Sequence, residues 1–290
     1  MKTLPIIDRP DWLSSSAWPW PSYAISHDSG RIAVTDVGHG PALLFVHVGS
    51  WSFVWRDLIM HLQNDFRCVA LDPPGCGLSD RTESTPTLAQ AGDAVSAVME
   101  QLELRDVTLV AHDLGGPAGF LAAARNPDRI RSLAAVNCFA WKPTGPLFRG
   151  MLAVMGSAPI RELDAATGLL PRATATGFGV GRHWGREDLA TFRAGIDRAA
   201  RRAWHGYFRD ARKADAIYAE IDAGLRGPLS DRPMLTIFGQ FNDPLRFQPR
   251  WRALFPAARQ VKVRRGNHFP MCDAPDLVAS AVKSFVSTVL

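Results

Sequence analysis

Between residues 107 and 119 the chain runs Val107-Thr108-Leu109-Val110-Ala111-His112-Asp113-Leu114-Gly115-Gly116-Pro117-Ala118-Gly119. A β-branched, apolar run stops at a small residue, a polar residue follows, and glycine returns two places later. A helix-forming run, Gly119–Arg125, then begins. The pattern predicts a strand, a sharp turn and a helix, with small residues where the backbone doubles back. Such a turn holds one side chain, here Asp113, exposed above the sheet on a strained backbone. A carboxylate placed there attacks carbon to give an alkyl ester. That chemistry opens C–halogen or C–O bonds at saturated carbon, in preference to ordinary ester hydrolysis. Asp ahead of a helix is also a common N-cap, so its partners must decide between the two roles.

With 290 residues, 47% of them hydrophobic, the chain can bury one large α/β core carrying an insertion. The net charge is +5, but the basic residues are scattered apart from short clusters such as Arg198-Arg201-Arg202 and Arg264-Arg265. No zinc-finger spacing or aromatic-basic motif accompanies them, so nucleic acid is not an expected partner. The four cysteines, Cys68, Cys76, Cys138 and Cys272, form no C-x-x-C pair, and Cys68 and Cys138 sit in or at the end of apolar runs. They read as buried thiols of a reducing compartment. The first ten residues lack the apolar stretch of a signal peptide, and no run approaches the ~20 residues of a membrane span. A cytoplasmic protein without a membrane partner is expected. Oligomeric state is not legible.

Strands are predicted near 22–27, 31–37, 42–47, 66–71, 107–111, 131–136, 233–238 and 260–264. Helices are predicted near 52–63, 87–102, 116–126, 247–255 and 275–289. The alternation implies an α/β fold: a mostly parallel central sheet, antiparallel at its start, with helices on both faces. Residues 1–20, rich in Trp and Pro, are expected to wrap the surface. Between about 140 and 228 the strand signal vanishes. Helix-like stretches such as Leu189–Trp204 and Phe208–Leu225 take its place. This segment is too long for a plain loop. It is expected to be a helical lid (140–228) inserted into a core of 1–139 and 229–290, supplying a dry pocket.

Strand 233–238 leads into Gly239-Gln240-Phe241-Asn242-Asp243-Pro244, and strand 260–264 into Arg265-Gly266-Asn267-His268-Phe269-Pro270. Both exits lie on the rim where α/β sheets bind ligands. Asp243 also suits a turn before Pro244, and a lone loop His is usually solvated. Taken together, Asp113, Asp243 and His268 make a catalytic constellation. Asp113 displaces a leaving group and becomes an ester; His268, oriented by Asp243, draws a proton from the water that hydrolyses it. The oxyanion needs backbone donors, expected at Leu114 N–H and at Val48 or Gly49 in the turn after strand 42–47. No metal or organic cofactor is expected, because no ligand spacing or phosphate loop occurs.

Residues from about 30 to 140 and from 230 to 285 resemble the haloalkane dehalogenase and epoxide hydrolase branch of the α/β-hydrolases. The turn His47…Trp51-Ser52-Phe53-Val54-Trp55-Arg56-Asp57 resembles their His-Gly turn and first helix. Asp72-Pro73-Pro74-Gly75-Cys76-Gly77-Leu78-Ser79-Asp80 resembles their D-x-x-G-x-G-x-S-D loop, and His112-Asp113-Leu114-Gly115-Gly116 their H-D-W-G-G. The chain order Asp113, Asp243, His268 is the α/β-hydrolase order. Asn137 through Trp141 resemble the subgroup whose acid follows the preceding strand; Asn137 cannot ionise, which leaves the acid role to Asp243. The resemblance implies an α/β-hydrolase fold and an Asp-nucleophile hydrolase acting on a small, neutral, hydrophobic substrate.

Two departures bear on the substrate. Dehalogenases of this kind hold the departing halide with a Trp directly after the nucleophile, where this chain has Leu114. Their second donor is an Asn in His-Gly-Asn-Pro, where this chain reads His47-Val48-Gly49-Ser50. Substitute donors are Trp51, Trp141, Trp184 and Trp204, each equally a packing residue. Epoxide opening would instead need a lid tyrosine as proton donor, Tyr207 or Tyr218. A β-lactone decarboxylase reading also stays open, as does a catalytically idle binding protein. Fluoroacetate-type chemistry is disfavoured, since Leu114 and Pro117 occupy the places of its carboxylate-gripping arginines.

Overall fold

A computed structural model describes residues 4–82, 84–243 and 245–289. Its strands are β1 (Tyr23–His27), β2 (Gly30–Val37), β3 (Ala42–Val48), β4 (Arg67–Leu71), β5 (Val107–Asp113), β6 (Ile130–Cys138), β7 (Met234–Gly239) and β8 (Arg259–Val263). They form one sheet in the order β1-β2-β4-β3-β5-β6-β7-β8. β1 and β2, and β2 and β4, pair antiparallel; every later pair is parallel. β3 and β5 lie side by side at the centre, buried along nearly their whole length, which explains their mostly apolar sequence. Their register places Val48 opposite Asp113, so the turn after β3 and the turn after β5 open at the same edge.

The helices are α1 (Arg56–Leu62), α2 (Leu88–Gln101), α3 (Gly115–Arg125), α4 (Pro146–Met155), α5 (Ala158–Thr167), α6 (Leu169–Thr174), α7 (Arg186–Ala194), α8 (Arg198–Ala211), α9 (Asp215–Arg226), α10 (Phe247–Leu254), α11 (Pro270–Asp273) and α12 (Pro275–Val289). Six of them, α4 to α9, fall between β6 and β7, and the described residues of that stretch hold no strand. The helical pattern read over 189–204 proves to be two helices. The break falls at Gly195, where a side chain would run into the Trp51 indole, and Asp197 starts the second helix by accepting the Ala200 N–H. Helices α4, α5 and α6 carry no clear sequence signal.

The Trp-rich N-terminal segment is more than a surface wrap. Trp18 and Trp20 are buried and meet edge to face, and Trp18 extends to Trp51 and Phe53. Arg9 fastens the segment by donating to the carbonyls of Trp18 and Trp20. Indoles bring large apolar areas, which is why this segment packs inward. All four cysteines are free and buried, and burial pushes the Cys68 and Cys76 thiols up to about 12. Among the described residues no helix is long and apolar enough to cross a membrane.

Candidate active site

Asp113 has φ +52, a left-handed conformation that costs a non-glycine residue on the order of 1–3 kcal/mol. Close packing after the turn holds it there. A Cβ on Gly115 would stand 2.3 Å from the Val46 carbonyl, and one on Gly116 would stand 2.1 Å from that of Phe139. Glycine is therefore required for α3 to start so near β3 and β6. Leu114 takes the N-cap position of α3 and no side chain caps that helix, so the Asp113 carboxylate stays clear of the capping role. The helix N-terminus, with its excess of positive dipole, lies directly behind the carboxylate.

His268 Nε2 approaches Asp113 Oδ2 at 3.5 Å, and the two side chains are 32% and 18% exposed, so solvent reaches the pair. The loop that carries His268 is pinned from below. Asn137 donates to the carbonyls of Asn267 and His268 and accepts the Gly239 N–H, tying β6, β7 and the loop together. A buried chain of imidazoles reaches the same carbonyl. The Ser50 N–H donates to His47 Nε2, the two Nδ1 atoms of His47 and His112 are 3.0 Å apart, and His112 Nε2 lies 2.8 Å from the His268 carbonyl. Only one assignment satisfies every contact with neutral rings: His47 Nδ1–H donates to His112 Nδ1, and His112 Nε2–H to the carbonyl. Burial keeps both rings neutral, lowering His47 to about 3 and His112 well below the usual imidazole value; a charge on His268 acts in the same direction.

The expected contact between Asp243 and the imidazole is corrected. The Asp243 carboxylate accepts the N–H groups of Phe247 and Gln248, capping the first turn of α10. Burial raises its pKa, and those two donors oppose the rise. The residue beside it faces the imidazole instead: the Asn242 carboxamide is 3.0 Å from His268 Nδ1. Two consecutive polar residues at a strand exit give no sign, in sequence, of which one turns inward.

The proposed leaving-group residues separate cleanly. Trp51 donates to the Phe192 carbonyl and Trp184 to Asp57, so both indoles are occupied in packing. Trp141 lies under the Arg250 guanidinium and against Trp251. The hydroxyl of Tyr207 donates to the Pro74 carbonyl and that of Tyr218 to the Ala211 carbonyl, and both side chains are buried. Trp204 differs. Its indole Nε1 is buried without a partner, and it stands 2.2 Å from where a Cβ on Gly49 (φ +117) would lie. Ser50 Oγ, one residue on, is likewise buried and unpartnered. Sequence reading passed over Ser50, Asn242 and the His47–His112 pair. Only the position of Ser50 in the turn after β3 offered a signal.

The register sets Val48 opposite Asp113, Gly49 follows Val48, and Leu114 follows Asp113 at the N-cap of α3. Exposed apolar side chains flank the loop that carries His268: Phe241 precedes Asn242, and Phe178 follows Gly177, whose carbonyl receives the Asn267 side chain. Among the described residues no group of three or more His, Cys, Asp and Glu side chains is placed to hold a metal ion.

The family described as alpha/beta hydrolase fold matches residues 41–275. A haloalkane dehalogenase of Mycolicibacterium smegmatis is 30% identical over 285 residues, covering 89% of this chain and 88% of that protein. A cis-3-alkyl-4-alkyloxetan-2-one decarboxylase of Shewanella oneidensis is 25% identical over 284 residues, covering 93% and 89%. The solved haloalkane dehalogenase DatA from Agrobacterium tumefaciens C58 superposes with a TM-score of 0.81 at 21% identity, over 96% of this chain and all of that one, and speaks for the fold alone. With the sheet order, the elbow at Asp113 and these matches together, the chain belongs to the alpha/beta hydrolase fold family and is haloalkane dehalogenase-like.

Proposed function

We propose that the protein is a hydrolase in which Asp113 attacks a saturated carbon and expels an anion, most simply a halide. The observation that carries this reading is Asp113 on a left-handed elbow with His268 Nε2 beside it. The carboxylate oxygen forms a bond to carbon as the carbon–leaving group bond breaks, giving an alkyl ester. Water then adds to the ester carbonyl and passes a proton to His268. The oxyanion so formed meets the backbone donors expected at Leu114 and at Val48 or Gly49. Collapse of the adduct returns that proton to the departing alcohol and restores Asp113. Helices α4 to α9, over residues 140–228, act as a lid that keeps the electrophile dry.

The leaving group is where this chain departs from its relatives. A halide needs neutral donors, and the unpartnered indole of Trp204 beside Gly49 supports that role in place of the missing Trp and Asn. An epoxide would need an acidic hydroxyl, and Tyr207 and Tyr218 both spend theirs on backbone carbonyls. A second reading, opening of a β-lactone, has support from the Shewanella oneidensis relative. Ring opening there releases a carboxylate, another anion suited to an N–H and an O–H donor such as Ser50.

The protein is incubated with brominated alkanes, styrene-type epoxides and a β-lactone while halide, diol and alkene are followed together. Bromide release is expected, with an alkyl ester accumulating on Asp113 in His268→Ala and visible by intact mass. Fast diol formation without bromide would reverse the reading. No product and no adduct from any of the three would favour an idle binding protein.

A further inference from the structure

We propose that Asn242 is the positioning residue of His268, a neutral carboxamide standing where the sequence led us to expect a carboxylate. This inference rests on Asp113 acting as nucleophile and His268 as base. The Asn242 side chain is 3.0 Å from Nδ1, while the opposite ring nitrogen faces Asp113 at 3.5 Å. The adjacent carboxylate, Asp243, is committed to two backbone N–H groups of α10 and turns away from the ring. The charged and titratable groups around His268 are therefore few. Asp113 comes from β5, and Asp273 from α11, where it is held by the Asn267 N–H and Arg182. His112 and His47 are buried and neutral.

A carboxamide can do something a carboxylate cannot. It donates through Nδ2–H and accepts through Oδ1, so it pairs with Nδ1 in either tautomer. In the resting enzyme Nδ2–H donates to Nδ1, and Nε2–H faces the Asp113 carboxylate. In the alkyl-enzyme Asp113 has lost its charge. The carboxamide turned over then accepts from Nδ1–H and leaves the Nε2 lone pair free for the water proton. The arrangement has a cost. When that proton arrives, no negative charge at Nδ1 balances the imidazolium. Ester hydrolysis, rather than ester formation, becomes the slow step, and the wild-type enzyme accumulates the covalent intermediate during turnover.

The test is rapid quench with an alkyl bromide and intact-mass detection, on wild type, Asn242→Ala, Asn242→Asp and Asp243→Asn. Asn242→Ala is expected to slow ester hydrolysis roughly 100-fold, the lower end of what a general base contributes, with ester formation unchanged. Asn242→Asp is expected to hydrolyse faster than wild type, with the acid limb of that step moved to higher pH. Asp243→Asn should leave both steps within about twofold, since only a helix cap is weakened. Histidine ¹⁵N NMR supplies a readout that needs no turnover: Asn242→Ala should change the tautomer balance of the His268 ring, and Asp243→Asn should not. Ester hydrolysis slowed in Asp243→Asn but not in Asn242→Ala, or a His268 ring unmoved in Asn242→Ala, overturns the proposal. If no ester forms in any variant, the nucleophile reading fails, and the NMR comparison alone still decides the role of Asn242.

Discussion

At the end of β5 the chain turns through Asp113 in a left-handed conformation, and the side chain is left facing the loop that carries His268. At the end of β7 the chain again exposes a carboxylate at the same edge of the sheet, yet Asp243 is absorbed by the first turn of α10. The difference lies in how soon a helix begins after each strand. After β5, Gly115 and Gly116 let α3 begin at once, so the helix packs against β3 and β6 and leaves Asp113 no N–H to cap. After β7 a loop intervenes before α10, long enough for Asp243 to fold back onto the N–H groups of Phe247 and Gln248. A strand-end carboxylate stays available for chemistry when the next helix starts too early to use it.

The most severe way to break the comparison is to remove the β5 carboxylate. Asp113→Ala is expected to abolish both turnover and adduct formation, a loss on the order of 10⁴-fold or more. Retained activity, measured as halide release, would exclude the covalent route. A smaller effect is expected from Trp204→Phe, which keeps the ring and deletes the N–H. Loss of one preorganised donor costs roughly 10²- to 10³-fold in the step where charge develops, so ester formation should slow while hydrolysis of a preformed ester is spared. Equal slowing of both steps would mean that Trp204 only packs.

Acid should loosen the β5 edge through its histidines. The His47 pKa is lowered from 6.5 to about 3 in the folded chain, so the unfolded chain takes up the proton first. The stabilisation is complete above about 6.5 and is lost as pH falls from there towards 3, at up to about 1.4 kcal/mol per pH unit. Urea unfolding at pH 7 and pH 5 measures this directly, and His47→Gln should flatten the dependence. An unchanged midpoint between those two pH values would mean that the His47–His112 pair accepts a proton in place. The mildest change belongs to β7. Asp243→Asn should lower stability by about 1 kcal/mol, read as a small fall in Tm, because the amide keeps one of the two acceptor oxygens and loses the charge that a helix N-terminus favours.

These expectations mark how far the residues could be read. The strand–glycine–helix pattern located Asp113, and its φ of +52 agrees with that reading. The β-strands of the sheet lie within about two residues of their predicted places, and in β3 to β7 apolar runs leave few alternatives to a buried strand. Between β6 and β7 the reading loosened. Amphipathic helices on a surface tolerate many sequences, and the breaks at Gly195 and Asp197 are local events that a broad periodicity averages away. The indoles were harder still. Trp51, Trp184 and Trp204 look alike in sequence, and only the carbonyl or carboxylate each one meets tells an occupied N–H from a free one.

By itself the sequence determined the order of the strands, the strand–turn–helix that carries Asp113 and the loop that carries His268. Each of these is written in a contiguous stretch, where spacing and residue type set local backbone geometry. The tertiary structure alone decided which of Asn242 and Asp243 faces the imidazole, which tyrosines are spent on backbone, and that the Trp204 N–H comes to rest against Gly49. Apart from the Tyr218–Ala211 bond, those outcomes turn on contacts between residues well separated in the chain. A side chain's hydrogen bonds go to whichever partner packing brings within about 3 Å, and no local pattern encodes that distance.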